Sequence, residues 1–300
     1  MTRIAPLHTL LTMTLLAGLM LCTPRLHAMD VFQEGLPRLL FVASQDNEIH
    51  QRAYEPLRRG LAHPSPLFIS VGAPDAGHWM RHFDCAQCLI ITSGTAALQL
   101  VSDSTRQARV LSIMIPMESH ERLLRSATDQ ARFAALFMDI PLDKRMQIAS
   151  RHVPAFRRFG VVKSPPQGRA PSDPLPPSLR LFIKGSNQNL LDVFVQAARH
   201  SDAILTLPDR EIYNSRTIVS IMMTTYRLGT PLIGHSEALH RAGALISIYA
   251  DPQMLGEEAL TLLRTGDIKD WQTLRRHTER YQVSINHQVA RSLRITVETP

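Results

Sequence analysis

The strongest constraint on this chain is the stretch Ser201–Ala250, SDAILTLPDREIYNSRTIVSIMMTTYRLGTPLIGHSEALHRAGALISIYA. A short apolar run, Ala203 to Leu207, ends in Pro208-Asp209-Arg210. An amphipathic run from about Asn214 to Leu228 follows and is broken by Gly229-Thr230-Pro231. A second apolar run, Leu232-Ile233-Gly234, ends in His235-Ser236-Glu237, and a third runs from Gly243 to Tyr249. Apolar runs of strand length alternating with amphipathic segments of helix length predict β-α-β units and a parallel sheet. Ligands of such sheets bind beyond the carboxyl ends of the strands. Those ends here carry Asp209 and Ser236, which suit ligand contact better than packing.

The same alternation fills the first half. Arg38 to Ala43, Pro66 to Val71, Cys88 to Thr92, Val110 to Ile115 and Phe133 to Met138 read as strands. The segments between them read as helices, the first from Glu48 to Arg59 with Asp46 or Asn47 as cap. Asp139-Ile140-Pro141 opens a helix ending near Arg151, with Asp139 as its expected N-cap. Phe159 to Lys163 and Leu179 to Ile183 are strands, and Asn187 to Arg199 a helix. Between those two strands lies Ser164–Ser178, SPPQGRAPSDPLPPS, whose six prolines block a helix and favour an extended loop. Leu255 to Arg264 is amphipathic, stopped by Gly266-Asp267. Trp271 to Arg280 reads as a turn region, and Tyr281–Asn286 and Leu293–Glu298 as closing strands.

Residues 1–28 read as a secretory signal: Arg3, an apolar core from Leu10 to Leu21, and Leu26-His27-Ala28 as the cleavage site. Lipidation at Cys22 is the weaker alternative, because Leu21 is not small. Cleavage removes Arg3 and Arg25 and no acid, so the formal charge falls from +7 to +5. No other run is long and apolar enough to span a bilayer. A periplasmic location is therefore expected. The positive charge is spread along the chain without a Lys/Arg block, which argues against nucleic-acid binding.

From Asp202 to Asp267 the residues also carry a family pattern. Pro208-Asp209 follows a strand; Thr225-Tyr226-Arg227 leads through Gly229 to Pro231-Leu232-Ile233-Gly234 and Ser236; Ala242-Gly243-Ala244-Leu245 follows. The pattern resembles the ABC-transporter substrate-binding proteins of the type I periplasmic fold, and the resemblance extends over most of the chain after about Arg38. It implies two Rossmann-like α/β lobes with parallel sheets joined by a hinge. Residues 29–139 with about 252–280 would form one lobe, and 140–251 with 281–300 the other. It implies a small polar ligand in the cleft, with delivery to an ABC permease or, on the same fold, signalling to a membrane sensor or receptor. Ser93-Gly94-Thr95, Asp209, Ser236, and Ser44 with Gln45 occupy the strand-end positions that line the family's cleft. Tyr213 is the nearest aromatic for stacking, with helix packing as its other role. Asp139-Ile140-Pro141-Leu142-Asp143-Lys144 resembles the family's crossover into the second lobe. The proline segment departs from the pattern, since the family has a helix there.

Ser and Thr at Ser93-Gly94-Thr95, and Asp209 before Glu211, serve equally as helix or turn caps. Ser93, His235 and Asp209 assemble a hydrolytic triad on paper only, because G-x-S-x-G is missing. No P-loop or G-x-G-x-x-G is present. Neither an enzyme nor a cofactor is expected. Cys85 and Cys88 are expected to form a local disulfide or remain inert thiols. Metal binding with His78 and His82 has plausible spacing, and thiol exchange is disfavoured because the pair precedes a strand.

Overall fold

A computed structural model describes residues 38–61, 66–125, 127, 129–165, 176–265 and 271–298. The expected signal segment, Cys22, residues 166–175 of the proline segment and Gly266-Asp267 lie outside the described residues.

The strands sort into two six-stranded sheets. The first contains β1 (Leu39–Ala43), β2 (Leu67–Ser70), β3 (Leu89–Ser93), β4 (Arg109–Ile115), β5 (Phe133–Phe137) and β11 (Arg275–His277), in the order β11-β5-β4-β3-β1-β2. All its pairings are parallel. The second contains β6 (Phe159–Lys163), β7 (Leu179–Ile183), β8 (Ala203–Leu205), β9 (Leu232–Gly234), β10 (Ile246–Tyr249) and β12 (Gln282–Ile285), in the order β12-β10-β9-β8-β6-β7. Only β12 runs antiparallel, against β10. The two orders are the same arrangement used twice: second strand, first, third, fourth, fifth, then one late strand. In each sheet the order reverses between the first and third strands, β1/β3 and β6/β8.

Continuous apolar runs make the inner strands of both sheets fit to be covered on both faces. On the first sheet, Leu40, Val42 and Ile90 face α2 (Ala76–His82), α3 (Thr95–Ser104) and α4 (Met117–Leu124). Phe41, Ile91 and Leu111 face α1 (Glu48–Gly60) and α9 (Pro252–Thr265). On the second sheet, Val161, Leu205 and Ile233 face α5 (Leu142–His152) and α10 (His287–Leu293). Val162 and Ile204 face α6 (Leu190–His200), α7 (Ile218–Arg227) and α8 (Glu237–Ala242).

The chain passes between the lobes three times: β5 to α5, β10 to α9, and β11 to β12. A carboxylate sits at each crossing. Asp139 Oδ1 accepts the Met117 N–H at 2.8 Å, and its carbonyl oxygen lies 2.7 Å from His277 Nδ1. Asp251 pairs with Arg52 and caps α9 through Gln253 N–H at 2.8 Å. Glu258 accepts from the buried Thr278 hydroxyl at 2.6 Å.

Four sequence expectations are corrected. Asp139 caps α4 rather than α5, because Pro141 takes the N-cap position of α5 and turns the chain away. Helix α7 begins at Ile218, four residues late. Asn214 Oδ1 accepts from Arg216 N–H at 3.0 Å and Thr217 donates to Ile212 O at 2.6 Å, so local side-chain bonds hold 214–217 as turns. Residues 275–277 form β11; an Arg-Arg-His edge strand has no apolar periodicity to reveal it. Leu293–Glu298 is not a strand: Asn286 caps α10 through Val289 N–H, and the segment beyond packs Ile295 and Val297 on the core without a partner strand.

Among the described residues no helix stands between β6 and β7. On the first lobe α1 occupies the matching place, and the Tyr54 ring of α1 packs at a tilt against Phe68 of β2, 5.2 Å between centroids. On the second, Leu181 and Ile183 of β7 stay exposed.

Candidate functional site

The first wall is built where β1 and β3 end. Gly94 has φ +91°, a conformation that costs a side-chain-bearing residue energy. A Cβ at Gly94 would also lie 2.6 Å from Ser44 Oγ. The close approach lets Ser44 act across the strands: its N–H donates to Ser93 O at 2.9 Å, and its Oγ accepts the Ala97 N–H of α3 at 3.0 Å. Ser44 therefore caps α3, and Gly94 supplies no side-chain cap. The N–H groups of Thr95 and Ala96 point out of the helix, as the first ones of any α-helix do. Ser93 is fully buried, with its Oγ 2.7 Å from His50 Nδ1. Its hydroxyl thus faces α1 rather than the crevice. Burial holds His50 below its ordinary pKa, so this bond joins a neutral imidazole to a hydroxyl. Gln45 is exposed and accepts from Asn47 Nδ2 at 3.0 Å.

The second wall is built where β6, β8 and β9 end. Asp209 Oδ2 accepts from both Ser164 N–H (2.8 Å) and Ser164 Oγ–H (2.7 Å). Its Oδ1 accepts from Glu211 N–H (3.0 Å) and Ile212 N–H (3.4 Å). One half-buried carboxylate thus ties the ends of the two strands that flank the switch point. Ser236 caps α8 through Leu239 N–H at 3.3 Å. The Tyr213 hydroxyl donates to Val162 O at 3.3 Å, and the ring meets Phe194 and His235 edge-on. Tyr213 therefore packs the wall from behind rather than presenting a face for stacking.

Behind this wall lies a residue with no local motif to mark it. Arg145 of α5 is 2% exposed. It donates to Thr206 O at 2.7 Å and Ile233 O at 2.9 Å, and no carboxylate pairs with it among the described residues. Burial pushes its pKa down to about 10, so it remains a cation at neutral pH. His235 Nδ1 sits 2.8 Å from the Thr206 hydroxyl. Burial, with the Arg145 cation nearby, pushes His235 down to about 3, so the imidazole is neutral. Arg145 braces the strand ends that carry Asp209 and Ser236. Arg145→Met should cost about 2–3 kcal/mol of stability, because backbone carbonyls lose charge-assisted donors in a buried setting. A urea melt with a loss below about 0.5 kcal/mol would show that the brace is dispensable.

Among the described residues one ion pair joins the walls: Lys163 Nζ, at the end of β6, lies 3.4 Å from Glu118 Oε2, in the first turn of α4. Thr95, Ser164, Asp209 and Ser236 keep partial exposure, and Gln45 and Arg210 are exposed. The paper triad is not assembled: Ser93 is bonded to His50, His235 to Thr206, and Asp209 to Ser164.

Cys85 and Cys88 are joined by a disulfide. It follows the C-terminal end of α2 and precedes β3, at the opposite end of the sheet from Thr95. A helix C-terminus disfavours a thiolate, so the position suits a cross-link and not thiol exchange. Both sulfurs are taken up in that bond. Among the described residues no group of three or more His, Cys, Asp or Glu could hold a metal ion. No helix of the described residues is long and apolar enough to cross a membrane.

No protein-family model matches the chain, and no curated protein sequence does. Solved structures do. The ligand-free, open form of a substrate-binding protein with adhesive properties from Clostridium difficile matches with a TM-score of 0.63 at 11% identity, over 87% of this chain and 95% of that one. The fold is that of the type I periplasmic binding proteins. An ABC domain in complex with L-Trp from Streptococcus pneumonia matches with a TM-score of 0.55 at 15% identity, over 87% and 96% of the two chains. A conserved domain protein from Vibrio cholerae gives a TM-score of 0.55 at 15% identity, over 87% and 95%. The type I periplasmic-binding-protein fold accounts for the doubled strand order, the three crossings and the facing walls.

Proposed function

We propose that this chain is a periplasmic solute-binding protein that holds a small polar molecule between its two lobes and delivers it to an ABC permease. One observation carries the reading: the reversal points of both sheets end in small polar loops, Ser44 and Gly94-Thr95 on one lobe, Ser164 and Asp209 on the other. Reversal points are where open α/β sheets bind ligands. The Lys163–Glu118 pair spans the walls on which a solute would close. Two similar folds are described as a substrate-binding protein and as an L-Trp complex, which supports a small-solute ligand.

The test is a thermal-shift screen of the mature protein against amino acids and small organic solutes. A ligand at about 100 times its Kd adds about 2.7 kcal/mol to the folded state. Thr95→Ala should weaken that ligand about tenfold while leaving the unliganded melting temperature unchanged. Asp209→Ala should weaken it too, and should also cost about 1–3 kcal/mol of stability as the Ser164 tie is lost. Full affinity in both variants would remove the crevice from the site.

The second reading is an extracytoplasmic sensor that passes a conformational signal to a membrane partner. Leu181 and Ile183 of β7, left exposed on the second sheet, favour it as a contact surface for such a partner. Isothermal titration against a solubilised permease would separate the two: a transport protein binds the permease, and a sensor does not.

A further inference from the structure

Helix α7 is apolar on two sides. Ile221 and Thr225 are buried against the second sheet. Val219, Met223 and Tyr226, spaced i, i+4 and i+7, form an exposed stripe at 67%, 48% and 43%. The stripe borders an apolar groove of about 230 Å³, lined by Met222, Met223 and Tyr226 of α7, Leu232, and Val289 and Leu293 of α10. The groove lies where β9 begins and α8 ends, whereas the crevice loops lie where β9 ends. An occupant of the groove would leave the crevice free.

Charge narrows the choice of occupant. The helices α7, α8 and α10 carry one acid between them, Glu237, and Arg241 holds it at 2.5 Å. Arg227 follows the stripe, Arg291 lies in α10 and Arg294 follows it. Among the described residues no carboxylate pairs with Arg227, Arg291 or Arg294. A second copy would bring the same cations against them, and like charges across an interface repel. A bilayer needs a protruding apolar surface, whereas this one is concave and lined by adjacent methionines, which adapt to inserted side chains.

We propose that this groove docks an amphipathic helix of a partner protein, apolar on one face and acidic on its flanks, by helix-in-groove recognition. The stripe and groove take the apolar face, and Arg227, Arg291 and Arg294 meet the acidic flanks. A partner held this way stays engaged whether or not the crevice is filled.

The experiment uses the mature protein and a fluorescein-labelled model helix with Leu at i, i+3, i+4 and i+7 and Glu elsewhere. Anisotropy at low salt should show saturable binding that weakens at least about tenfold in about 0.5 M salt. A Lys-for-Glu version of the helix should bind at least about tenfold more weakly. Met223→Asp should weaken the Glu helix about tenfold or more. Val219→Asp, at the most exposed position of the stripe, should also weaken it and keeps the test readable if Met223→Asp unfolds. No saturable binding, equal binding of both helices, or full affinity in both variants overturns the proposal. Sedimentation as a dimer that Met223→Asp dissociates would overturn it in favour of a second copy. Flotation with phosphatidylglycerol vesicles without binding to the Glu helix would overturn it in favour of a membrane surface.

Discussion

Lowering the pH from 7.5 to 5 should destabilise the folded protein by about 4 kcal/mol and lower its melting temperature by about 10 °C. Two histidines account for most of this. His120 is fully buried, with both ring nitrogens unpartnered and its ring edge-on to Phe137. Burial, reinforced by the Arg275 cation, pushes it down to about 4. His235 is pushed down to about 3. An unfolded histidine titrates near 6.5. Between 6.5 and the folded values the unfolded chain binds more protons, so stability is complete above about pH 6.5 and is lost as the pH falls toward 4. At pH 5 the loss is about 2 kcal/mol from His120 and up to about 2 kcal/mol from His235, whose partial exposure lets water share the cost. His120→Phe should remove the first share. It should also stabilise the protein at pH 7.5 by about 1 kcal/mol, since two unpaired buried nitrogens disappear. Melting curves at the two pH values check both statements, and a wild-type curve that does not move with pH would refute them.

Gly256→Val should cost about 3 kcal/mol or more. Helix α9 crosses α1 so closely that a Cβ at Gly256 would lie 2.1 Å from Ala53 O and 3.2 Å from Pro56 Cγ. The first neighbour is backbone, so neither helix can yield without moving as a whole. Leu255, Ala259 and Leu263 of α9 bury against the first sheet, and Asp251 at its start pairs with Arg52 of α1. Pushing α9 away therefore loosens the second crossing and uncovers core in one step. Urea denaturation measures this, and a loss under about 1 kcal/mol would mean that the two helices separate freely.

The fold was legible because apolar strands buried on both faces leave an unmistakable pattern. Phe133–Phe137 and Ile246–Tyr249 are apolar along their length, or nearly so, and buried throughout. What escaped reading depends on partners distant in sequence. Arg275–His277 is a strand only because β5 offers it a free edge. Asp139 looks like the cap of the helix that follows it, and instead caps α4, 22 residues back. At the candidate site the sequence pointed to Ser44, Gln45, Ser93, Gly94, Thr95, Asp209, Tyr213 and Ser236. The strand ends bring most of these to the two walls, but burial turns Ser93 toward His50 and Tyr213 toward Val162. Arg145 had no local signal. Its partners, Thr206 O and Ile233 O, are backbone atoms 61 and 88 residues away, and no spacing rule reaches them. Glu118 and Lys163 are ordinary surface charges in sequence and gain meaning only where the lobes face one another.

In the proposed function, two loop sets from different lobes form one site. Hydrogen exchange on the protein, with and without the best solute from the thermal-shift screen, tests this most directly. Binding should slow exchange together in residues 44–47 and 94–97 of the first wall and in 164–165, 207–212 and 235–239 of the second. A solute that raises the melting temperature while protecting one wall only, or neither, would contradict the account.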